Sequence, residues 1–283
     1  MPELPECERG RKVLEQAAVG RTIVRAIADD DAIVFPLGAP RAFAASLAGR
    51  RAVGTGRRGK YIWLTLDRAP HILFHFGMTG GFEVPGGDHL ALESDPKNLP
   101  KSDAPPPWPP KFTKLHLVFD DGGELVMTNK RRLGRIRPID DPLAEEPVAS
   151  LGFDPLLDPP SAADFAHMLE KRTGTVKGLL LDQSFAAGVG NWIADEVLYQ
   201  AKVDPRRRAC DLDSAEVRRL RTKLLSVIER ACAVDADKSR FPKTWLFHHR
   251  WGKVEGATTA RGEAIESITV AGRTTAWVPE VQG

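Results

Sequence analysis

Three residues in the opening stretch MPELPECERG could do covalent chemistry: Pro2, Glu3 and Glu6. Removal of Met1, which a small second residue permits, would leave the secondary amine of Pro2 as the N-terminal group. A free α-amine titrates at about 7.7–8.0, so an appreciable fraction is unprotonated near neutrality. An N-terminal amine is also an accepted nucleophile toward a carbon electrophile. Glu3 and Glu6 place an acid or base beside that amine without any fold to bring it there. The same residues also describe an ordinary helix start, with proline near the first turn and acids favoured by the helix dipole. A second stretch, LLLDQSFAAGVGNWIADEVLYQAKVDP at 179–205, joins two helical segments through Gly188–Asn191. Glycines allow a close backbone approach, and the helix that follows offers unpaired N–H groups and a positive dipole end, a combination that suits a phosphate. Asn191 adds a neutral donor. A plain helix–turn–helix core element with glycines in its turn reads the same way.

The elements that must position these residues change along the chain. Glu6 to Gln16 has helical spacing with Gly20 as a stop. Thr22–Ile27 and Ala32–Phe35 read as strands and Phe43–Leu47 as a short helix; from Arg51 the pattern turns to β again, with Tyr61–Leu66, His71–Phe76, His116–Phe119, Glu124–Thr128 and Arg135–Arg137 as strands and Asp120–Gly123 as a hairpin turn. Pro85–Lys111, ending in PPPWPP, cannot join a sheet interior and reads as a long surface loop or inserted segment, partly disordered. The first 140 residues therefore predict an antiparallel β-sandwich or barrel with an N-terminal helix laid against it. Residues 141–160 read as a linker with a short turn. Helical periodicity follows over Ala162–Lys171, Val176–Leu181, Trp192–Ala201 and Ser214–Ala233, the last with Ser214 as its cap. The stretch 238–283 returns to short strands, with Glu263–Val270 and Thr274–Val278 flanking Ala271–Arg273 as a hairpin. The expected class is α+β, with domains at 1–140, 161–237 and 238–283.

At 283 residues the chain can bury a sizeable core. No run of about 18 apolar residues exists, which excludes a membrane-spanning helix, and the acidic start does not resemble a signal peptide. Three cysteines, Cys7, Cys210 and Cys232, have no CxxC spacing, which argues against a disulfide framework or a cysteine-based zinc site and fits a reducing compartment. The net charge of +2 says little about partners. Its distribution says more: basic clusters at Arg57–Lys60, Lys130–Arg137, Arg206–Arg208 and Lys238–Lys253 make an anionic polymer a candidate partner, although each alone could be solvated surface.

MPELPE at the N-terminus, RRGKY at 57–61, HFGMTG at 75–80, KRRLG at 130–134, LLDQ and GVGNWIADEVL within 180–198, and GRTT at 272–275 occur together and in order. In this the chain resembles the formamidopyrimidine-DNA glycosylase family of base-excision repair enzymes over nearly its whole length. The resemblance implies a bifunctional DNA glycosylase/AP lyase whose fold is an N-terminal β-sandwich, then a helix–two-turns–helix domain that carries a C-terminal zincless β-hairpin finger. Pro2 would attack C1′ of the damaged nucleotide, displace the base and form an iminium. β-Elimination and then δ-elimination would follow. Glu3 would protonate the sugar ring oxygen, and Glu6 would help to position the amine and transfer protons. Lys60, also a catalytic candidate beside Pro2, Glu3 and Glu6, would hold phosphates with His75, Asn191 and Arg273; Lys60 and Arg273 could otherwise be surface charges, and His75 a satisfied core histidine. Met78, Arg131 and Leu133 would fill the space left by the extruded nucleotide, Met78 reading otherwise as core. Leu133 stands where an aromatic wedge is usual in bacterial members. Lys177 and Glu196 fall in the helical motifs, Glu196 as structural support. Cys7 reads as a helix-face residue and not as a catalytic thiol.

Two departures matter. Bacterial relatives carry a four-cysteine zinc finger, and no cysteine follows Cys232 here. The segment resembles the zincless finger of plant and fungal members, with Trp251, Ile265, Ile268 and Trp277 as its packing candidates and no metal or cofactor expected; adjacent His248 and His249 are weak evidence for a metal. Val234–Trp245 also leaves little room for the loop that covers 8-oxoguanine in bacterial enzymes, so formamidopyrimidines and hydantoins are the expected substrates. The expected partner is double-stranded DNA with an oxidised base or abasic site, bound by a monomer, in the nucleus if the source is eukaryotic and otherwise in the cytoplasm. A catalytically silent damaged-DNA-binding protein on the same fold and an unrelated N-terminal-nucleophile hydrolase are the alternatives.

Overall fold

The alternation of Tyr61–Leu66 produces a strand whose side chains alternate between half-buried and buried along its whole length. The computed structural model of the protein describes residues 1–87, 107–252 and 255–283, so most of the expected Pro85–Lys111 loop lies outside the described residues. The chain divides into two compact units, Met1–Pro2 with Glu6–Ser150 and Glu3–Pro5 with Leu151–Gly283.

The first unit begins with helix α1 (Leu4–Ala18), whose body from Glu6 onward belongs to it. Strand β1 (Ile23–Ala28), helix α2 (Pro40–Ser46) and strands β2 (Ala52–Arg58), β3 (Tyr61–Leu66), β4 (His71–His75), β5 (Gly80–Glu83), β6 (Thr113–Phe119), β7 (Glu124–Asn129) and β8 (Arg135–Ile139) follow. They form two four-stranded sheets, ordered β1-β6-β7-β5 and β2-β3-β4-β8, with every pairing antiparallel. Ile23, Leu117, Phe119 and Met127 of the first sheet share one core with Ile62, Leu64, Ile72 and Phe74 of the second, and with Cys7, Leu14 and Ala18 of α1. This is a β-sandwich closed by a helix, held by side chains each worth about 1.5–3 kcal/mol of burial.

Two strand readings need correction. Ala32–Phe35 is a turn and not a strand. The Asp31 carboxylate accepts the backbone N–H groups of Ile33 (3.1 Å) and Val34 (3.3 Å), which folds the segment on itself before it can pair. Strand β5 was not expected, because Gly80 and Gly81 hide its alternation.

The second unit contains helices α3 (Ala162–Glu170), α4 (Val176–Leu181), α5 (Asn191–Ala201) and α6 (Ser214–Ala233), then strands β9 (Glu266–Val270) and β10 (Arg273–Trp277) and a final turn of helix, α7 (Pro279–Gln282). Helix α5 is buried on nearly all sides, among Leu180, Phe185, Leu224 and Ile228. Helix α6 is capped by Asp213 and not by Ser214. The Asp213 side chain accepts from Ala215 and Glu216 N–H while Glu216 accepts from the Asp213 N–H, a complete capping box. Strands β9 and β10 pair from Arg273 with Val270 to Trp277 with Glu266. Ala271 and Gly272 both have positive φ (50° and 69°), as a two-residue hairpin turn with the sheet's own twist requires. Beneath the hairpin, Ala276 and Val278 pack with Tyr199, Leu246 and Ile265. Trp277 is buried under the Arg206 guanidinium at 4.2 Å, and Trp251 packs against Phe247. Ile268 is only half-buried.

Candidate functional site

Glu3 is 2% exposed and sits at the N-terminus of α5. Its Oε1 accepts the Trp192 N–H at 2.9 Å and its Oε2 the Ile193 N–H at 3.1 Å. A carboxylate from the other end of the sequence thus satisfies two of the four orphan donors of that helix, where the dipole favours negative charge. The preceding turn is shaped to admit it. The Gly188 carbonyl accepts the Leu4 N–H at 3.0 Å, and a Cβ on Gly190 would lie 2.2 Å from the Glu3 carboxyl carbon. Pro2 is buried and precedes Glu3, the residue whose side chain is seated in this way.

Asn191 opens the same helix and ties it to the hairpin, donating from Nδ2 to the Thr274 carbonyl at 2.9 Å. Arg273, one residue earlier, is exposed at the start of β10. Below them lies a buried ionic network. Lys177 is 0% exposed and donates to Asp195 Oδ1 (2.5 Å) and to Thr275 Oγ1 (2.6 Å). Asp195 also accepts from Arg250 (2.5 Å) and from the Ala276 N–H (3.1 Å). Burial pulls the Lys177 ammonium down while Asp195 opposes it. Such a network is costly to break, because losing one partner strands a buried charge. It fixes the hairpin against α4 and α5, so that Asn191 and Arg273 belong to one rigid group. Asp195 is the organiser that sequence reasoning missed.

In the first unit, Lys60 and His75 lie at one end of the second sheet. Lys60 is in the two-residue turn between β2 and β3, and Tyr61 pairs with His75 across β3 and β4. The Cys7 thiol donates to the Lys60 carbonyl at 3.7 Å, which places the first turn of α1, with Glu6, beside that turn. Cys7 is buried, as a helix-face residue should be. His75 Nδ1 accepts the Gly77 N–H at 3.2 Å, so the neutral ring carries its proton on Nε2. Burial and the positive charges of Lys60, Arg135 and Arg137 push His75 down to about 4. The ring is therefore a neutral donor and not a cation.

Met78 occupies the β4–β5 loop, and Arg131 and Leu133 the β7–β8 loop. Buried Asn129 joins the two, donating from Nδ2 to the Phe76 carbonyl (2.8 Å) and accepting the Gly134 N–H (3.2 Å). Gly77 (φ +64°) lies so close to the second loop that an added Cβ would be 2.3 Å from the Leu133 carbonyl carbon. All three void-filling candidates are brought together, and Leu133 is 43% exposed. Asn129 is the second organiser that went unrecognised.

The basic clusters supply fewer unengaged cations than their composition suggests. Arg57 is buried against Glu8, Arg132 pairs with Asp31, Arg206 with Asp204, Arg207 with Glu216 and Arg250 with Asp195.

Two buried groups give the units opposite pH responses. Unfolded His75 would bind a proton below 6.5, whereas the folded ring stays neutral down to about 4. Stability of the first unit should therefore fall as pH drops through that window. Glu196 accepts from Gln200 (2.7 Å) and the Phe247 N–H (2.8 Å), and burial pushes its carboxyl up from 4.5 to about 7. The folded group retains a proton that the unfolded one has lost, so stability of the second unit should fall as pH rises from 4.5 through about 7. Denaturation profiles between pH 4 and 8 should show His75→Asn flattening the acid arm and Glu196→Gln the neutral arm. Unchanged slopes in the two variants would refute both assignments.

The formamidopyrimidine-DNA glycosylase N-terminal domain matches residues 1–136, and the formamidopyrimidine-DNA glycosylase H2TH domain matches residues 151–243. A formamidopyrimidine-DNA glycosylase of Arabidopsis thaliana is 42% identical over 283 residues, covering 100% of this chain and 71% of that one. One from Paracoccus denitrificans is 35% identical over 243 residues, covering 85% of this chain and 81% of its own. Among solved structures, the Lactococcus lactis enzyme bound non-covalently to DNA containing an AP site superposes with a TM-score of 0.79 at 26% identity, over 99% of both chains.

Proposed function

The chain belongs to the formamidopyrimidine-DNA glycosylase family of base-excision repair, and from that premise we propose that it removes oxidised bases through a Schiff base on Pro2 and cleaves the strand by β,δ-elimination. The observation that carries the reading is the seat of Glu3 at the α5 N-terminus, one peptide bond from Pro2, on the helix that also bears Asn191 and its tie to the Arg273 hairpin.

The Pro2 amine, freed of Met1, attacks C1′ as the bond from C1′ to the base nitrogen breaks. The base leaves with the bonding pair and takes its proton from solvent; the Glu3 carboxylate takes the proton from the Pro2 nitrogen and delivers it to the sugar ring oxygen, the ring C–O bond opens, and a C=N⁺ iminium forms. The iminium draws electrons from C2′, whose proton goes to a nearby base, Glu6 by position. The 3′ C–O bond then breaks and its phosphate leaves; a second loss breaks the 5′ C–O bond. Lys60, Asn191 and Arg273, with neutral His75 as donor, hold the flanking phosphates. Met78, Arg131 and Leu133 occupy the space of the extruded nucleotide. The protein acts as a monomer on double-stranded DNA.

Val234–Trp245 sets the substrate choice. Asp235 and Ala236 turn the chain with positive φ, Asp237 caps a short 3-10 turn at Lys238–Arg240, and Phe241 and Trp245 are buried beside Trp192. Turns and the buried side chains of Val234, Ala236, Phe241 and Trp245 take up most of the segment and leave little length to cover a base. Under single-turnover conditions, hydantoins and formamidopyrimidines should be excised at least about tenfold faster than 8-oxoguanine, a difference of about 1.4 kcal/mol in barrier. Equal rates would contradict this. Borohydride trapping on abasic-site DNA tests the mechanism as a whole: a covalent adduct is expected, and its absence would favour the silent DNA-binding protein.

A further inference from the structure

Leu133 and Arg131 stand out from the β7–β8 loop with Arg132 between them, and an exposed leucine beside an arginine is not what the sandwich core requires. Arg132 has φ +56°, a region that non-glycine residues seldom adopt. Its guanidinium turns the other way and grips Asp31, with Nε 2.8 Å from Oδ2 and Nη2 3.0 Å from Oδ1. Asp31 is 3% exposed and also meets Lys114 Nζ at 3.0 Å and the Ile33 and Val34 N–H groups. Arg132 and Lys114 hold its carboxyl well below the usual carboxylate range. The turn it organises is bonded to the strand that leaves the loop, since Ile136 N–H donates to the Val34 carbonyl at 2.8 Å. The loop is thus anchored at its apex and at its exit by one buried carboxylate and its turn. Among the described residues, Arg131 makes no ion pair.

We propose that Asp31 is a positioning residue for reading the strand opposite the lesion: by clamping Arg132 it holds Arg131 and Leu133 outward, where they enter the duplex. Arg132, though exposed and in the middle of a basic cluster, is then a strut for the loop and not a phosphate ligand, because its bidentate face is occupied by Asp31. This inference rests on the function proposed above and assigns the opposite-base selectivity of that site to a residue that never touches DNA.

The test uses the full chain with Asp31→Asn, Arg132→Lys and the double variant, their folding checked by thermal denaturation. Single-stranded abasic DNA needs no void filled, so Asp31→Asn should give the wild-type yield of borohydride adduct. Excision from duplex should fall roughly 10- to 100-fold, as about 1 Å of misplacement does, with the ratio between two opposite bases collapsing toward one. Arg132→Lys keeps the charge but loses the fork, so it should behave like Asp31→Asn, and the double variant should be no worse than either. The slope of log affinity against log salt should stay unchanged in all three. Wild-type selectivity in Asp31→Asn, or a salt slope lower by about one on removing the Arg132 charge (Arg132→Gln), would overturn the proposal, the latter by making Arg132 a direct phosphate contact. If the wild type itself forms no adduct, the enzymatic reading fails and not this one, which the opposite-base dependence of duplex binding still decides.

Discussion

A chain that retains Met1 should give no borohydride-trapped adduct with abasic-site DNA, whereas the chain processed to begin at Pro2 should trap it fully. With Met1 attached, the Pro2 nitrogen belongs to a tertiary amide, whose lone pair is delocalised into the carbonyl and cannot attack C1′. Removing a covalent nucleophile is among the largest single losses an active site shows, on the order of 10³- to 10⁶-fold. The contrast is clean in structural terms. Met1 is 38% exposed, so its presence or absence disturbs no core, and a difference in trapping reports chemistry. Pro2→Gly is the graded case: a primary amine can still form an imine, so it should be impaired by less than the blocked chain. Each protein is checked by mass spectrometry for its N-terminus and scored by the shift of labelled DNA on a denaturing gel. Equal trapping by the Met1-retaining chain would remove Pro2 from the mechanism and pass its role to a side-chain amine such as Lys60.

What the sequence revealed depended on whether a residue's meaning was local. Strand β3 was legible to the residue because its alternation runs uninterrupted, and α4 and α6 because their periodicity is flanked by caps and turns. Ala32–Phe35 misled because its apolar residues match a strand while a single side chain, Asp31, overrides them through two backbone N–H groups. Strand β5 was invisible because two of its residues are glycine. Around the site, motif residues such as Glu3, Lys60, Asn191 and Arg273 could be named from order along the chain. Asn129, Asp31 and Asp195 could not. Each is an ordinary polar residue in sequence, and each acquires its meaning from partners tens of residues away: Phe76 and Gly134, Arg132 and Lys114, Lys177 and Arg250. Charge clusters were legible as runs, but which arginines in them are engaged by carboxylates was not, because those partners lie elsewhere in the chain for Arg57, Arg132 and Arg250.

Gly190→Ala is expected to lower base excision about 100-fold while leaving a folded protein, because it evicts Glu3 from its seat. Gly190 has an extended backbone that alanine can adopt (φ −128°, ψ −162°), so conformational strain is not the issue. The obstacle is space: the new Cβ would lie 2.2 Å from the Glu3 carboxyl carbon and 2.5 Å from Oε1. Either the carboxylate leaves or the α5 N-terminus shifts, and displacement by about 1 Å is enough to cost about 100-fold in rate. Overpacking of this kind should also lower stability by about 1–3 kcal/mol. Gly174→Ala, in the same unit, meets nothing within 4 Å and should stay within about 0.5 kcal/mol of the wild type with full activity. The mechanism of the defect is read by combining variants. Glu3→Ala removes the group that the new methyl strikes, so Glu3→Ala/Gly190→Ala should be more stable than Gly190→Ala alone, yet no more active than Glu3→Ala. Glu3→Gln keeps the shape but turns an NH₂ group toward one of the two helix N–H donors. It should therefore lose both the proton donor and one hydrogen bond, and Gly190→Ala added to it should cost little further activity, since both act on one interaction. A Gly190→Ala protein with wild-type excision would show that the contact between Glu3 and α5 only caps the helix. In that event the general acid would have to be sought elsewhere, with Glu6, in the first turn of α1, the next carboxylate to test.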